Sequence, residues 1–459
     1  MTRPGAPPAA PAAPALRPAT AGFADAGQPW RGGWRQGLGY GGLGLPLAFV
    51  ALPLYVVLPN HYAATFGVPL ATLGTLLLAA RLLDAVADPW IGHLVDRWFA
   101  TGLRRIAMAA VIAALVLALG FRGLFFPTVS GSSALLWWCG SVLAITYLAY
   151  SVLSVIHQAW GARLGGDEAQ RARIVSWREA LALVGVLVAS VLPSVAGLGA
   201  STASFAALLG LALIAAAWAP RPVGHQARGP VPGAQAGLAE QTPAGPGVSG
   251  PSPWRSAGFR RLLAVFLVNG IASAVPATLV LFFIRDRLQA AAYEPLFLAS
   301  YFAAGALSMP LWVRLVQRLG LAQAWLAGMV LAVAAFAWAA LLGAGDVAAF
   351  TAVCVASGVA LGADLALPGA LLAGVIQRAG HAGQLEGRYF GWWNFATKLN
   401  LALAAGIALP LLAAFGYQPG GRDAQALQAL TIAYCLLPCA LKLAAAALLH
   451  LLWIRGEPR

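Results

Sequence analysis

The chain alternates long apolar runs with short polar breaks, and twelve runs are long enough to cross about 30 Å of hydrocarbon as helices. They predict spans at 38–60, 67–95, 106–126, 133–159, 177–198 and 202–219, then at 260–284, 294–316, 321–343, 347–376, 389–415 and 425–453. Between the sixth and the seventh, residues 221–253 are rich in Pro, Gly, Ala and Gln and too broken to span. That stretch reads as a linker. The predicted division is a tail over 1–34, a six-helix bundle over 35–219, a linker over 220–256 and a second six-helix bundle over 257–455. The tail is Ala/Pro/Gly-rich with no continuous apolar run, so it reads as disordered rather than as a cleavable signal peptide.

Arginine placement predicts the orientation. Even-numbered connections carry Arg97, Arg104 and Arg105, then Arg163, Arg171 and Arg173, then Arg314 with Arg318, and Arg378 with Arg388. Odd-numbered connections are nearly bare, with Arg285 and Arg287 among the exceptions. The alternation puts both termini, the tail and the linker in the cytoplasm. Composition agrees with a membrane protein: 60% of residues are hydrophobic and 10% charged, against about 45–50% and about 25% in soluble domains. The net charge of +14 does not point to nucleic acid, because the arginines are scattered between apolar runs instead of forming a basic face. Four cysteines fall inside apolar segments. Cys435 and Cys439 share a helix face, but no histidine or acid lies near in sequence to complete a metal site.

Six spans, a cytoplasmic middle loop and six more spans outline a major facilitator superfamily transporter. In such a fold the solute sits near the midplane between two halves that rock against each other. The predicted fold class is therefore an all-α membrane protein with twelve transmembrane helices in two six-helix bundles. It predicts a multi-pass protein of a bacterial-type inner (plasma) membrane, functional as a monomer. Its partners are the lipid bilayer and a small-molecule substrate, with no nucleic acid and no cofactor beyond a coupling ion.

Function rests on the few intramembrane charges. Arg81, Asp84 and Asp88 fall within one narrow helix face at about 100° per residue. Each charge there costs roughly 2.5–3.5 kcal/mol on insertion scales, so the face must line a cavity or meet countercharges. Asp84 and Asp88 would repel if both were ionised. One can hold a proton, or a monovalent cation can sit between their oxygens. Arg81 and Lys398 would bring the sum to zero; a purely structural ion-pair network is the competing reading. Pro89 frees a backbone carbonyl one turn earlier.

The remaining candidates carry two readings each. Asp364 contacts solute or a proton, or caps a helix broken at Pro368. Asn394, one turn before Lys398, ligates solute or makes a packed interhelical hydrogen bond. Trp393 or its neighbour Trp392 can stack on a sugar ring, but adjacent tryptophans point apart, so only one can. His157 is placed to face the cavity. Glu179 reads as an interfacial charge on a different face from Arg178, and Lys442, in a peripheral last helix, as a poor site candidate. Gly39-x-Gly41-x-x-Gly44 matches a dinucleotide fingerprint without a preceding strand, so it reads as helix packing. No nucleophile–base, metal or phosphate-loop constellation appears, which argues against an enzyme.

The segment 81–97, RLLDAVADPWIGHLVDR, resembles the signature of the glycoside–pentoside–hexuronide:cation symporters, to which melibiose permease belongs. The resemblance continues in RIVSWREA at 173–180, GADLALP at 362–368 and GRYFGWWNFATKL at 387–399, and covers about residues 37–418. It implies cation-coupled symport by alternating access, with H+ or Na+ as the coupling ion. It also implies that Asp84 and Asp88 form the cation site beside Lys398, that Arg81 holds the family's helix-two arginine position and that Arg178 lies near the sugar. The chain departs from melibiose permease in its sugar-gripping acids. The first span has none, and the fourth offers Ser151, Ser154, His157 and Gln158 instead. The expected cargo is a small polar solute, a sugar or glycoside; the alternative is an amphiphile such as a lysolipid, or another non-sugar solute.

Overall fold

The computed structural model describes residues 30, 32–222, 252–418, 420–421 and 423–455. Most of the expected tail and linker, residues 1–29 and 223–251, lies outside the described residues. Ten helical stretches are long and apolar enough to cross a membrane. One of them, Glu168–Trp218, is broken at Gly197 into two helices. The 32-residue helix Leu70–Thr101 is about 48 Å long and adds another. In chain order the helices are α1 (Trp34–Phe66), α2 (Leu70–Thr101), α3 (Leu103–Phe125), α4 (Ser132–Arg163), α5 (168–196) and α6 (198–218). The second half holds α7 (Ala257–Arg287), α8 (Ala291–Leu319), α9 (Leu321–Ala339), α10 (Val347–Arg378), α11 (Glu386–Ala414) and α12 (Ala424–Ile454). No strand occurs among the described residues.

Several helices run past the apolar runs that predict them, because polar caps stabilise the added turns. The Asp167 side chain accepts from the Gln170 amide and starts α5 nine residues before its predicted span; Ser256 does the same for Phe259 at the start of α7. Arg178 and Glu179 consequently lie three turns inside α5 rather than at its beginning. Three junctions, α2–α3, α5–α6 and α8–α9, consist of one glycine each, at φ +118° (Gly102), +80° (Gly197) and +81° (Gly320). Only glycine adopts that backbone without strain. Pro53 has no amide to donate, and α1 widens there into a π-turn over Pro53–Val57.

Each half has its own apolar core. In the first half Phe49, Tyr62, Phe121, Phe125 and Phe205 are almost fully buried, with Phe205 stacked on Phe49 and edge-on to Phe121. The core of the second half is not self-contained: Ala172, Val175 and Leu183 of α5 pack into it beside Leu367, Ala370 and Leu371 of α10. The end of the bundle where α6 finishes and α7 begins is called the linker end below. There the halves are joined by hydrogen bonds. Toward the opposite end no hydrogen bond or ion pair joins them among the described residues.

Candidate functional site

One stripe of α2, spaced four residues apart, carries Asp84, Asp88, Gly92 and Asp96. It faces a stripe of α11 made of Gly387, Gly391 and Lys398. The backbones touch: a Cβ on Gly92 would lie 2.2 Å from the Gly387 carbonyl oxygen, and one on Gly391 would lie 2.5 Å from that of Asp88. This approach lets a lysine two turns up α11 reach both aspartates. Lys398 Nζ is 2.6 Å from Asp84 Oδ2 and 2.8 Å from Asp88 Oδ2. Ser151 of α4 donates to Asp84 Oδ1 at 2.7 Å, and Lys398 donates to the Ser151 hydroxyl at 2.9 Å. Asp84 is 4% exposed and Asp88 0%. Asp88 Oδ1 is buried with no hydrogen-bond partner. Two carboxylates against one ammonium leave the cluster with one negative charge in excess when all three groups are ionised.

Arg81 does not complete that sum. The π-turn of α1 aims Tyr55 at it, and its guanidinium stands 4.1 Å over the Tyr55 ring, with no ion pair among the described residues. The expectation of charge balance by Arg81 is corrected accordingly: an exposed arginine over a ring replaces a buried countercharge. His157 is also placed otherwise than facing a cavity. It is buried, its ring lies 4.7 Å from that of Tyr40, and its Nε2 bonds the Tyr40 carbonyl at 2.7 Å, tying α4 to α1. Trp393 is buried and stacked on Phe266 of α7 at 3.7 Å between centroids. Trp392 packs edge-on to Trp254 and Phe395. Asn394 is half-buried and makes no hydrogen bond among the described residues.

Arg178 and Glu179 do not diverge as adjacent residues were expected to. Arg178 Nε donates to Glu179 Oε1 at 2.8 Å, and both side chains are half-buried. Asp364 belongs to a different cluster. It accepts from Asn269 and Ser273 of α7, Trp325 of α9 and Lys442 of α12. Lys442, discounted on sequence grounds, is thus a buried partner of Asp364.

Sequence reasoning missed the closure of the linker end. The first amides of α11 have no side-chain cap in their own half. Asp96 of α2 supplies it, accepting from Gly387 N at 2.7 Å and Arg388 N at 2.9 Å. Glu168 of α5 caps α9 in the same way through Leu321 N at 2.7 Å. Arg163 of α4 lies 2.9 Å from Glu386 and 3.3 Å from Asp96, and donates to the Gly383 carbonyl at 2.8 Å. Arg171 adds a bond to Gln377 at 2.6 Å. In the sequence these residues look like topological arginines and ordinary helix-end acids; nothing local marks them as meeting across the halves.

The MFS/sugar transport protein family model matches residues 37–455. The chain belongs to that family. That family is one of transporters and not of enzymes, and this chain has helices long and apolar enough to make it a multi-pass membrane protein. It is 29% identical over 170 residues to the Inner membrane symporter YicJ of Escherichia coli K12, an alignment covering 34% of this chain and 33% of that protein. It is 31% identical over 159 residues to the "Putative glycoside/cation symporter YagG" of the same organism, covering 33% of each. The chain therefore spans about a third of the length of these relatives. The crystal structure of a bacterial homologue of the iron transporter ferroportin, in an outward-facing state, superposes with a TM-score of 0.61 at 14% identity, covering 91% of this chain and 98% of that one. That likeness concerns the fold alone. Asp84, Asp88 and Lys398 lie where α2 of the first half meets α11 of the second.

Proposed function

We propose that this family member is a secondary active transporter that couples a small polar solute, a sugar or glycoside, to one monovalent cation, H+ or Na+. The observation that carries the reading is the uncompensated carboxylate: two buried aspartates share one lysine, and Asp88 Oδ1 has no partner. An unpaired buried charge costs several kcal/mol, and one arriving cation removes it. The excess is one charge, which sets a stoichiometry of one cation per turnover. Lys398 Nζ already bridges the two carboxylates at 2.6 and 2.8 Å, so the arriving cation binds beside it, at the unpartnered Asp88 Oδ1.

The solute half of the reading is supported by the name of the second relative, a glycoside/cation symporter, and by the polar groups of α4, α5 and α11. Arg178 and Glu179 offer a guanidinium and a carboxylate side by side, the donor and acceptor that neighbouring sugar hydroxyls require. Asn394 and the Ser154–Gln158 pair, bonded at 2.9 Å, add further polar atoms. With the linker end in the cytoplasm, as the arginines predict, the closed end faces inward and the protein is poised to receive solute from outside.

The test is uptake of a glycoside panel into proteoliposomes under a tenfold H+ or Na+ gradient at zero membrane potential. One cation then supplies about 1.4 kcal/mol, enough for about tenfold accumulation of a neutral solute. Asp88→Asn should keep solute exchange and lose accumulation. Wild-type accumulation by this variant would remove the coupling site from the proposal, and uptake of a lysolipid with none of any glycoside would replace the solute.

A further inference from the structure

A cavity lies inside the C-terminal bundle, lined by α7, α8, α9, α10 and α12, with a volume of about 140 Å³. Asp364 and Lys442 are among its lining residues, with side chains 12% and 3% exposed. Asp364 accepts from four donors: Lys442 Nζ, Trp325 Nε1 at 3.0 Å, Asn269 Nδ2 at 3.1 Å and Ser273 Oγ at 3.2 Å. Lys442 spends a second N–H on Asn269 Oδ1 at 2.9 Å, which leaves its third N–H uncommitted. The walls also include Phe297, Tyr301, Phe302, Phe336 and Tyr434. Among the described residues no hydrogen bond engages the hydroxyl of Tyr301 or of Tyr434. Among the described residues no hydrogen bond or ion pair links this cluster to Asp84, Asp88 or Lys398.

We propose that this cavity is a second ligand site, for an uncharged ring compound of about benzamide size whose polar end accepts hydrogen bonds. Size follows from volume, since an apolar cavity of about 150 Å³ holds a benzene ring. Neutrality follows from charge: Asp364 and Lys442 sum to zero, so a charged ligand would sit unpaired inside the membrane. A ring suits walls built from five aromatic side chains, which favour stacked and edge-on contacts. The polar end must accept at least one hydrogen bond, because Asp364 is saturated and the spare ammonium N–H of Lys442 only donates, whereas the two phenol hydroxyls donate or accept. A structural staple between α7, α9, α10 and α12 would account for the ion pair but not for the space beside it, because voids cost stability and cores ordinarily close them. The site is independent of the coupling reading and needs no transport assay.

The test uses the full chain in nanodiscs and four probes sharing one ring: benzamide, benzoate, benzylamine and toluene. Benzamide should raise the thermal unfolding midpoint in a saturable way, with benzoate and benzylamine at least about tenfold weaker. Replacing both hydroxyls (Tyr301→Phe with Tyr434→Phe) should weaken benzamide by about tenfold while leaving the ligand-free midpoint near wild type. Ala360→Leu, which adds bulk to the cavity wall, should abolish the shift; if that variant does not fold, the hydroxyl pair carries the test. Equal shifts from all four probes, no shift with benzamide, or a benzamide shift indifferent to the hydroxyl change would each overturn the assignment.

Discussion

Adding one methyl group at Gly391 should open the linker end. In an isolated helix Gly→Ala is stabilising by about 1 kcal/mol, so the intrinsic effect has the opposite sign to the packing effect and the two are separable. The added Cβ would stand 2.5 Å from the Asp88 carbonyl oxygen and 3.1 Å from Pro89 Cα, both backbone atoms, where ordinary contact begins near 3.4 Å. α2 and α11 must therefore part by roughly 1 Å. The bonds from Gly387 N and Arg388 N to Asp96, now 2.7 and 2.9 Å, would stretch beyond hydrogen-bonding distance. Charge-assisted bonds contribute about 1.5–3 kcal/mol each, so losing the pair shifts the closed state by about 3 kcal/mol or more, a change of over a hundredfold in population. Spin labels on Thr101→Cys and Gln384→Cys, exposed positions on opposite halves of that end, would report it by pulsed electron resonance. The four native cysteines are buried and should label little. The expected outcome is a longer-distance population in Gly391→Ala. An unchanged distance distribution would refute the argument that backbone contact between α2 and α11 holds the end shut.

Two further outcomes follow from single contacts. Arg163→Ala leaves Asp96 and Glu386 buried without their common cation, so the midpoint of thermal unfolding should fall by the equivalent of about 3–5 kcal/mol; adding Glu386→Gln should recover part of the loss, and no recovery would mean that the cost is packing against Phe99, whose ring lies 4.1 Å from the guanidinium, rather than charge. His157→Gln should leave the pH profile of transport unchanged, because the ring is buried, donates through Nε2 to the Tyr40 carbonyl and has no hydrogen bond or ion pair to Asp84, Asp88 or Lys398 among the described residues; a profile displaced by this substitution would return His157 to the proton path.

What was legible in the sequence was whatever chemistry recurs along one helix. Asp84 and Asp88 stand one turn apart, and the membrane makes their cost unmistakable, so the α2 stripe needed no coordinates. The spans were legible for the same reason, down to the break between α5 and α6. Partners on other helices were not. Arg81 shares the face of Asp84 in projection, yet a π-turn in a different helix decides that it meets Tyr55. Lys442 looked peripheral because its helix is last in the chain, whereas it packs against α7 and reaches Asp364 on α10. Trp393 offered a ring to a sugar until Phe266 took its face. Rotation of a helix about its own axis is set by every neighbour at once, and one sequence does not display it.

The coupling site and the linker-end closure share one pair of rods, and that constrains how they can communicate. Asp88 and Asp96 lie eight residues apart, about 12 Å along α2, with Gly92 against Gly387 between them. If the halves rock as rigid bodies, the Asp96 bonds near the end must break to open it, while Lys398 near the middle of α11 moves least. Lys398 is then closest to a pivot, and its two bonds to α2 can survive in both orientations. A cation bound beside it, at Asp88 Oδ1, therefore does not pull the end open. It removes instead the penalty of an unpaired Asp88 in whichever orientation excludes water, so that the loaded protein can pass through the closed state and the unloaded protein passes through only with Lys398 engaged. On this account Lys398→Ala should slow the return of the empty carrier more than the solute-loaded step, so net uptake should fall further than exchange. Equal losses in both would show that Lys398 serves the fold and not the cycle.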